Sequence, residues 1–231
     1  MYEKNVENVL QVENLTLSYG RKNILNRLSF QVQRGDCVGI IGANGCGKST
    51  LLSALTGIKK PDTGTILYTG KDIWKEDLTL AGRIGYVPQE NPLLPELLVA
   101  DNLLLWYGDK TGIGQKQELF KTFGLEEVWK MPIKKLSGGM RKRVSIVCAV
   151  ANNPELLILD EPGAALDLPC KEDIKQYLHT YIQTGGTVIL TSHEEAELSI
   201  CNRLLFIHRG DIEEVNANLR GEKLWKMLKT T

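Results

Sequence analysis

Gly42-Ala43-Asn44-Gly45-Cys46-Gly47-Lys48-Ser49 is the stretch whose reading decides the fold. It fits the phosphate-loop pattern G-x-x-x-x-G-K-[ST]. Before it runs Cys37-Val38-Gly39-Ile40-Ile41, a short apolar stretch that reads as a buried strand. After it, Thr50-Leu51-Leu52-Ser53-Ala54-Leu55 carries leucines at helical spacing, and Gly57 is placed to end that helix. Strand, glycine loop and helix in this order form the context the pattern requires. Glycines let the backbone wrap a phosphate chain, and amide N–H groups at a helix start point at its negative charge. The pattern gives Gly42, Asn44, Gly45, Cys46, Gly47, Lys48 and Ser49 as nucleotide-binding residues. Lys48 is expected to reach the β- and γ-phosphates, and the Ser49 hydroxyl to hold Mg²⁺. Cys46, at a helix start beside a lysine, is expected to be a thiol of lowered pKa.

The rest of the chain sets the frame for that loop. Its 231 residues allow one large domain with a full core. The 28 basic and 28 acidic residues cancel, so no field of one sign covers the surface to draw in nucleic acid. No run of 18 apolar residues suggests a membrane span, and Met1-Tyr2-Glu3-Lys4-Asn5 lacks an apolar signal core. Five cysteines, without a C-x-x-C pair, argue against a disulfide framework or zinc site and fit a reducing cytosol.

Outward from the loop, Val9 to Tyr19 and Ile24 to Val32 read as strands, with Gly20-Arg21-Lys22-Asn23 as a hairpin-type turn. Ile84 to Val87, Leu156 to Leu159, Thr187 to Thr191, Arg203 to Ile207 and Asp211 to Val215 read as further strands. Helices are expected over Leu168 to Thr184, Glu194 to Ile200 and Asn216 to Lys229, and residues 98–151 are helical in pattern. Strands alternating with helices predict an α/β fold with a mainly parallel sheet. The expected layout is one unit over 1–231, with a core of about 1–89 and 154–231 and a helical insert of about 90–153.

In an open parallel sheet, ligands bind beyond the carboxyl ends of the strands. Four expected strands end in groups suited to nucleotide hydrolysis. The first ends in the phosphate loop, the others in Pro88-Gln89, Asp160-Glu161-Pro162 and Ser192-His193. Phosphoryl transfer to water needs neutralised charge and a positioned water. Asp160 is suited to Mg²⁺, Glu161 to polarising the attacking water as general base, and Gln89 to touching both. His193 is suited to donating a hydrogen bond to the γ-phosphate.

One more segment, Leu136-Ser137-Gly138-Gly139-Met140, resembles the LSGGQ signature of ABC-type ATPases. With it, the family's elements appear in order across residues 9 to 215. Tyr19 resembles the aromatic that stacks on adenine, residues 42–50 Walker A (which makes Thr50 a further nucleotide-binding residue), and Gln89 the Q-loop. Residues 156–161 resemble Walker B, Ala165-Leu166-Asp167 the D-loop, and His193 the switch histidine. The resemblance implies a P-loop core with an N-terminal antiparallel β subdomain and a helical insert. It also implies ATP and Mg²⁺ as cofactors. Two chains would lie head to tail, with Ser137, Gly138 and Gly139 gripping nucleotide held by the other copy. That copy is either identical or a homologous ABC ATPase subunit. The implied setting is the cytoplasmic face of a membrane, on separate permease subunits. Met140 replaces the usual glutamine, a signature variant similar to that of some exporter-type members. The glutamate of Walker B is intact.

The signature also has a reading of its own. Ser137 is a good N-cap, and Met140, Val144, Val147, Cys148 and Ala151 give the following helix one apolar stripe. Its start is therefore an anion site, redundant within one monomer but useful to a second copy. Arg141-Lys142-Arg143, one turn inside, is either part of that anion site or a solvated basic face. Asn91 to Leu98, apolar and bounded by prolines, is either a docking patch for a partner helix or internal packing. Two other functions compete: a soluble ABC-type ATPase acting on a nucleoprotein or cell-division complex, and a P-loop kinase. The kinase would need an acceptor-binding lid and leaves the signature helix without a purpose.

Overall fold

The computed structural model describes residues 7–75, 82–108 and 117–229. Strand β3 (Cys37–Ile41) is buried along its whole length, because its side chains enter two different cores. Val38 and Ile40 join an apolar cluster on one face of the sheet, and Cys37 and Ile41 a second cluster on the other. Strands β7 (Leu156–Asp160), β8 (Thr187–Thr191) and β9 (Arg203–His208) divide in the same way. Leu157, Leu159, Val188, Leu190 and Leu204 face one cluster, while Leu156, Ile158, Ile189 and Leu205 face the other. A strand covered on both sides has no polar face, so its sequence is an apolar run rather than an alternation.

These strands form one sheet with β6 (Ile84–Val87) and β10 (Asp211–Val215), in the order β10-β9-β3-β8-β7-β6. The pairs from β9 to β6 are parallel, and β10 is an antiparallel edge. Strands β3, β8, β7 and β6 are therefore consecutive neighbours, and their carboxyl ends lie on one edge. The four loops expected to share chemistry are brought together by this order.

A second sheet is antiparallel, in the order β2-β1-β4-β5, from β1 (Asn8–Tyr19), β2 (Lys22–Gln33), β4 (Thr63–Tyr68) and β5 (Lys71–Asp72). Its apolar face and helix α1 (Lys48–Leu55) close the core that holds Val38 and Ile40: Leu10, Leu17, Leu28, Leu51 and Leu55 are fully or almost fully buried there. The turn between β1 and β2 is tighter than the expected four residues. Tyr19 pairs with Lys22, leaving Gly20-Arg21 as a two-residue turn, the commonest hairpin connection.

The other core is helical. Between β6 and β7 the described elements are α2 (Val99–Tyr107), α3 (Gln117–Thr122), a 3-10 turn at Ile133–Lys135 and α4 (Gly138–Ala149). After β7 come α5 (Leu168–Gln183), α6 (Glu195–Leu198) and α7 (Gly221–Lys229). The last is shorter than the expected Asn216 to Lys229. Asn216 Oδ1 accepts from Asn218 N, and Arg220 Nη1 donates to the carbonyls of Ala217 and Leu219. Those groups are committed to a turn and cannot serve a helical ladder. No helix of the described residues is long and apolar enough to cross a membrane.

Candidate functional site

A cleft of about 360 Å³ opens over the carboxyl edge of the parallel sheet, lined by Ile24, Asn44, Gly45, Gly47, Lys48, Ser49, Thr50, Gln89 and Glu161. Its floor is the loop from β3 to α1. A Cβ on Gly42 would stand 2.5 Å from the Ile207 carbonyl oxygen, so the loop leaves the sheet along a path open only to glycine. Gly47 N-caps α1 at φ 113°, a conformation that favours glycine, and its cap position supplies no side-chain hydrogen bond. The first turn of α1 carries no acidic residue. Its first amides therefore lack partners inside the helix and leave an anion site at the cleft. Lys48 is 6% exposed and donates Nζ to Gly42 O (2.9 Å) and Ala43 O (3.2 Å), folding back over the loop.

Cys46 does not match its expectation. Burial pushes its thiol above the ordinary range, and Lys48 and the loop amides pull it only partway back. Its sulfur packs where a Cβ of Gly42 would stand, against the apolar cluster under the loop. Desolvation outweighs the helix start and the lysine.

Gln89 and Glu161 form the opposite wall, and Asp160, Thr191 and His193 stand behind them. Asp160, the last residue of β7, is 2% exposed, and its Oδ1 accepts from Thr191 Oγ1 at 2.6 Å. Thr191 Oγ1 in turn accepts from Glu161 N at 2.9 Å. One hydroxyl at the end of β8 thus fixes both acidic residues, through the pairing of Asp160 with Thr191. Thr191 is a site residue that the sequence reading missed, because that reading did not supply strand adjacency. Glu161 has φ 47°, uncommon for a side chain of its kind. Its carboxylate meets two of the other strand ends: Gln89 Nε2 donates to Oε2 at 3.0 Å, and His193 Nε2 lies 3.3 Å from Oε1. The His193 contact falls outside hydrogen-bond geometry, so Nε2 is a buried polar atom without a hydrogen-bond partner. Burial, then the Lys48 cation, hold the His193 pKa below its ordinary value, against an upward pull from Glu161.

The oxygen donors suit a hard cation that arrives with phosphates. Ser49 offers a hydroxyl, Asp160 a carboxylate, and Gln89 its amide oxygen, since its nitrogen faces Glu161. Among the described residues no group of three or more His, Cys, Asp and Glu side chains could hold a metal on its own. Mg²⁺ is the divalent ion that needs few protein ligands and shares its shell with water and phosphate.

Gly42, Cys46, Asp160 and His193 lie just behind the lining of this cleft, and Tyr19, Ser137, Gly138, Gly139 and Asp167 do not line it either. Tyr19 is 52% exposed beside the β1–β2 turn, with Lys59 Nζ 3.8 Å from its ring centroid. Asp167 N-caps α5 by accepting from Cys170 N at 3.0 Å. Ser137 N-caps α4 as expected, its Oγ accepting from Met140 N at 3.2 Å, and Ser137 and Gly138 are exposed. The start of α4 is thus a capped helix end outside its own chain's cleft, with Gly138 lining a neighbouring hollow beside Gln89.

Arg141-Lys142-Arg143 is not a freely solvated basic face, because each residue is tied into the chain. Arg141 Nη1 donates to Leu136 O (2.6 Å), and Arg143 Nη2 pairs with Asp173 Oδ2 (2.6 Å). Lys142 Nζ donates to the carbonyl of Pro88 (3.2 Å), reaching the loop that carries Gln89; burial lowers its pKa. The segment 91–98 divides between its two readings. Leu93 is buried and Asn102 holds the backbone of Leu94 and Leu98, but Leu94 is exposed, as are Leu105 and Trp106 on α2.

The family model described as ABC transporter matches residues 25–164. The linearmycin resistance ATP-binding protein LnrL of Bacillus subtilis is 39% identical over 211 residues, covering 88% of this chain and 68% of that protein. The Nod factor export ATP-binding protein I of Paraburkholderia xenovorans is 37% identical, covering 88% of this chain and 69% of its own length. Among solved structures, a dimeric ATP-binding cassette in a post-hydrolysis state with ADP and Pi superposes with a TM-score of 0.81. It is 28% identical, over 92% of this chain and 99% of that one.

Proposed function

The chain belongs to the ABC transporter family, and from that premise we propose that it is an ATPase subunit that powers transport through separate membrane subunits. The observation that carries this reading is Gln89 and Glu161 lining the cleft opposite the phosphate loop, with His193 against Glu161. Triphosphate lies along the loop amides, and Lys48 leaves its carbonyl partners for the β- and γ-phosphates. Tyr19 stacks on the base once Lys59 moves aside. Ser49, Gln89 and Asp160 would hold Mg²⁺, which would offset the phosphate charge when bound. Glu161 accepts a proton from the attacking water, and His193, neutral near pH 7, turns its unpartnered Nε2 to the γ-phosphate. Asp167 belongs to the same interface, in the loop that follows Glu161.

Ser137, Gly138 and Gly139 complete the site of a second copy or a homologous subunit. The support is geometric: Ser137 and Gly138 are exposed at a capped helix start, Gly139 is partly exposed, and all three are absent from their own chain's cleft. The exposed Leu94, Leu105 and Trp106 are the surface for the permease in this reading, with the chain on the cytoplasmic face of the membrane. Relatives named for linearmycin resistance and Nod factor export favour outward transport. The test is phosphate release from Mg-ATP with no phosphoryl acceptor present. Release that Lys48→Ala abolishes is expected; transfer only to an added acceptor would make the protein a kinase.

A further inference from the structure

Beyond the cleft, Glu197 on α6 lies between the two loops that meet at Glu161 and His193. A Cβ built on Gly163 would run into Glu197 Oε1 and lie 3.0 Å from its Cδ. The carboxylate thus fills the space that any side chain at position 163 would take. Helix α6 starts two residues after His193, so this contact joins the loop after Glu161 to the loop that carries His193. Gly163 is two residues after Glu161, and Ser192 immediately precedes His193. Around this link the packing is close. Ser192 is 2% exposed and its Oγ accepts from Glu194 N at 2.9 Å, while Lys171 Nζ grips Glu194 at 2.6 and 2.7 Å. Burial is the main influence on Glu197 and raises its pKa. Glu161 sits in a left-handed backbone conformation that its surroundings must hold in place.

We propose that Glu197 is a positioning residue that straps the Glu161 loop to the His193 loop, and that Gly163 is its required partner. The strap does not touch nucleotide. It fixes the distance between the base and the histidine, so its loss is felt in the chemical step rather than in binding. This rests on the hydrolytic reading of Glu161 above.

The test is a mutant cycle on ATP turnover, with Glu161→Gln run in parallel. Glu197→Ala is expected to lower kcat by about 10- to 100-fold, the cost of slight misplacement, while KM for ATP stays within about twofold. Glu197→Gln keeps the length and shape of the side chain beside Gly163 and one carbonyl oxygen, and should retain kcat within about threefold. Gly163→Ser should be harmful alone, because its side chain displaces the carboxylate. In the Glu197→Ala background the same serine enters vacated space and should cost nothing more, or restore part of kcat. Wild-type kcat in Glu197→Ala, additive losses in the double variant, or a rise in KM with kcat unchanged would each overturn the strap. If Glu197→Ala fails to fold by thermal melting, Gly163→Ser and Glu197→Gln decide: equal kcat in these two would overturn it. Wild-type turnover in Glu161→Gln would instead refute the hydrolytic reading, so the two failures are distinguishable.

Discussion

Glu161→Gln separates the chemistry of this site from its architecture. The amide keeps the length and shape of the side chain. Its oxygen can still accept from Gln89 Nε2, now 3.0 Å from Oε2, and its nitrogen can face His193 Nε2, now 3.3 Å from Oε1. A neutral histidine accepts at one ring nitrogen, so neither neighbour is left facing a like group. The backbone tie from residue 161 N to Thr191 Oγ1 is unaffected. What disappears is the proton acceptor and one negative charge at the cleft wall. General-base catalysis contributes about 10²–10⁴ in rate, equivalent to about 2.7–5.5 kcal/mol of barrier. Steady-state phosphate release should fall by that factor. ATP affinity should hold or tighten, because one anion fewer faces the γ-phosphate. Unhydrolysed ATP should then keep two chains together, so the variant should elute as a dimer with Mg-ATP and as a monomer without nucleotide. Turnover within tenfold of wild type, with a normal melting curve, would refute the general-base argument.

Three further outcomes follow from other parts of the site. In nucleotide-free protein, the His193 NMR titration should fall below the ordinary histidine midpoint and lower still in Glu161→Gln, since the Glu161 carboxylate is what pulls it upward; an upward move would contradict this. Cys46 should react with maleimide more slowly at neutral pH than a free cysteine, because burial raises its thiol pKa; labelling at the rate of a model thiol would show that the loop opens. Met140→Gln should change turnover by less than about threefold, since position 140 contributes its backbone N–H to the Ser137 cap and only partly buries its side chain; loss of ATP-driven dimerisation would reveal a specific packing role.

How much was legible in advance depended on how locally each feature is encoded. Strand β3 and the loop after it were readable because burial on both faces leaves a continuous apolar run and the phosphate loop has a fixed spacing. Ser137 as a cap was readable because capping is a matter of four adjacent residues. The β4–β5 hairpin went unread. It is short, and its signals are Thr65-Ile66-Leu67-Tyr68 followed by a two-residue turn at Thr69-Gly70, both at positive φ. Thr191, Lys142 and Glu197 were out of reach for another reason. Each acts across a distance of 30 residues or more that only the strand order or helix packing closes. Cys46 was misjudged because local charge is visible in sequence and desolvation is not.

The central claim is that each nucleotide site is built from two chains, and mixing two damaged chains tests it most directly. Lys48→Ala removes a phosphate loop, and Ser137→Arg blocks a signature. Each variant alone has one damaged half in every site and should fail to trap nucleotide with vanadate. In a heterodimer, one site pairs both damaged halves, and the other pairs the intact loop of the Ser137→Arg chain with the intact signature of the Lys48→Ala chain. Vanadate trapping counts closed sites directly and does not require two sites to fire together. Mixtures shown by tagged pull-down to contain heterodimer are expected to trap about one nucleotide per heterodimer, counting one intact site in each pair. No trapping in such a mixture would contradict the account, because a signature serving its own chain's nucleotide leaves no intact site in any combination.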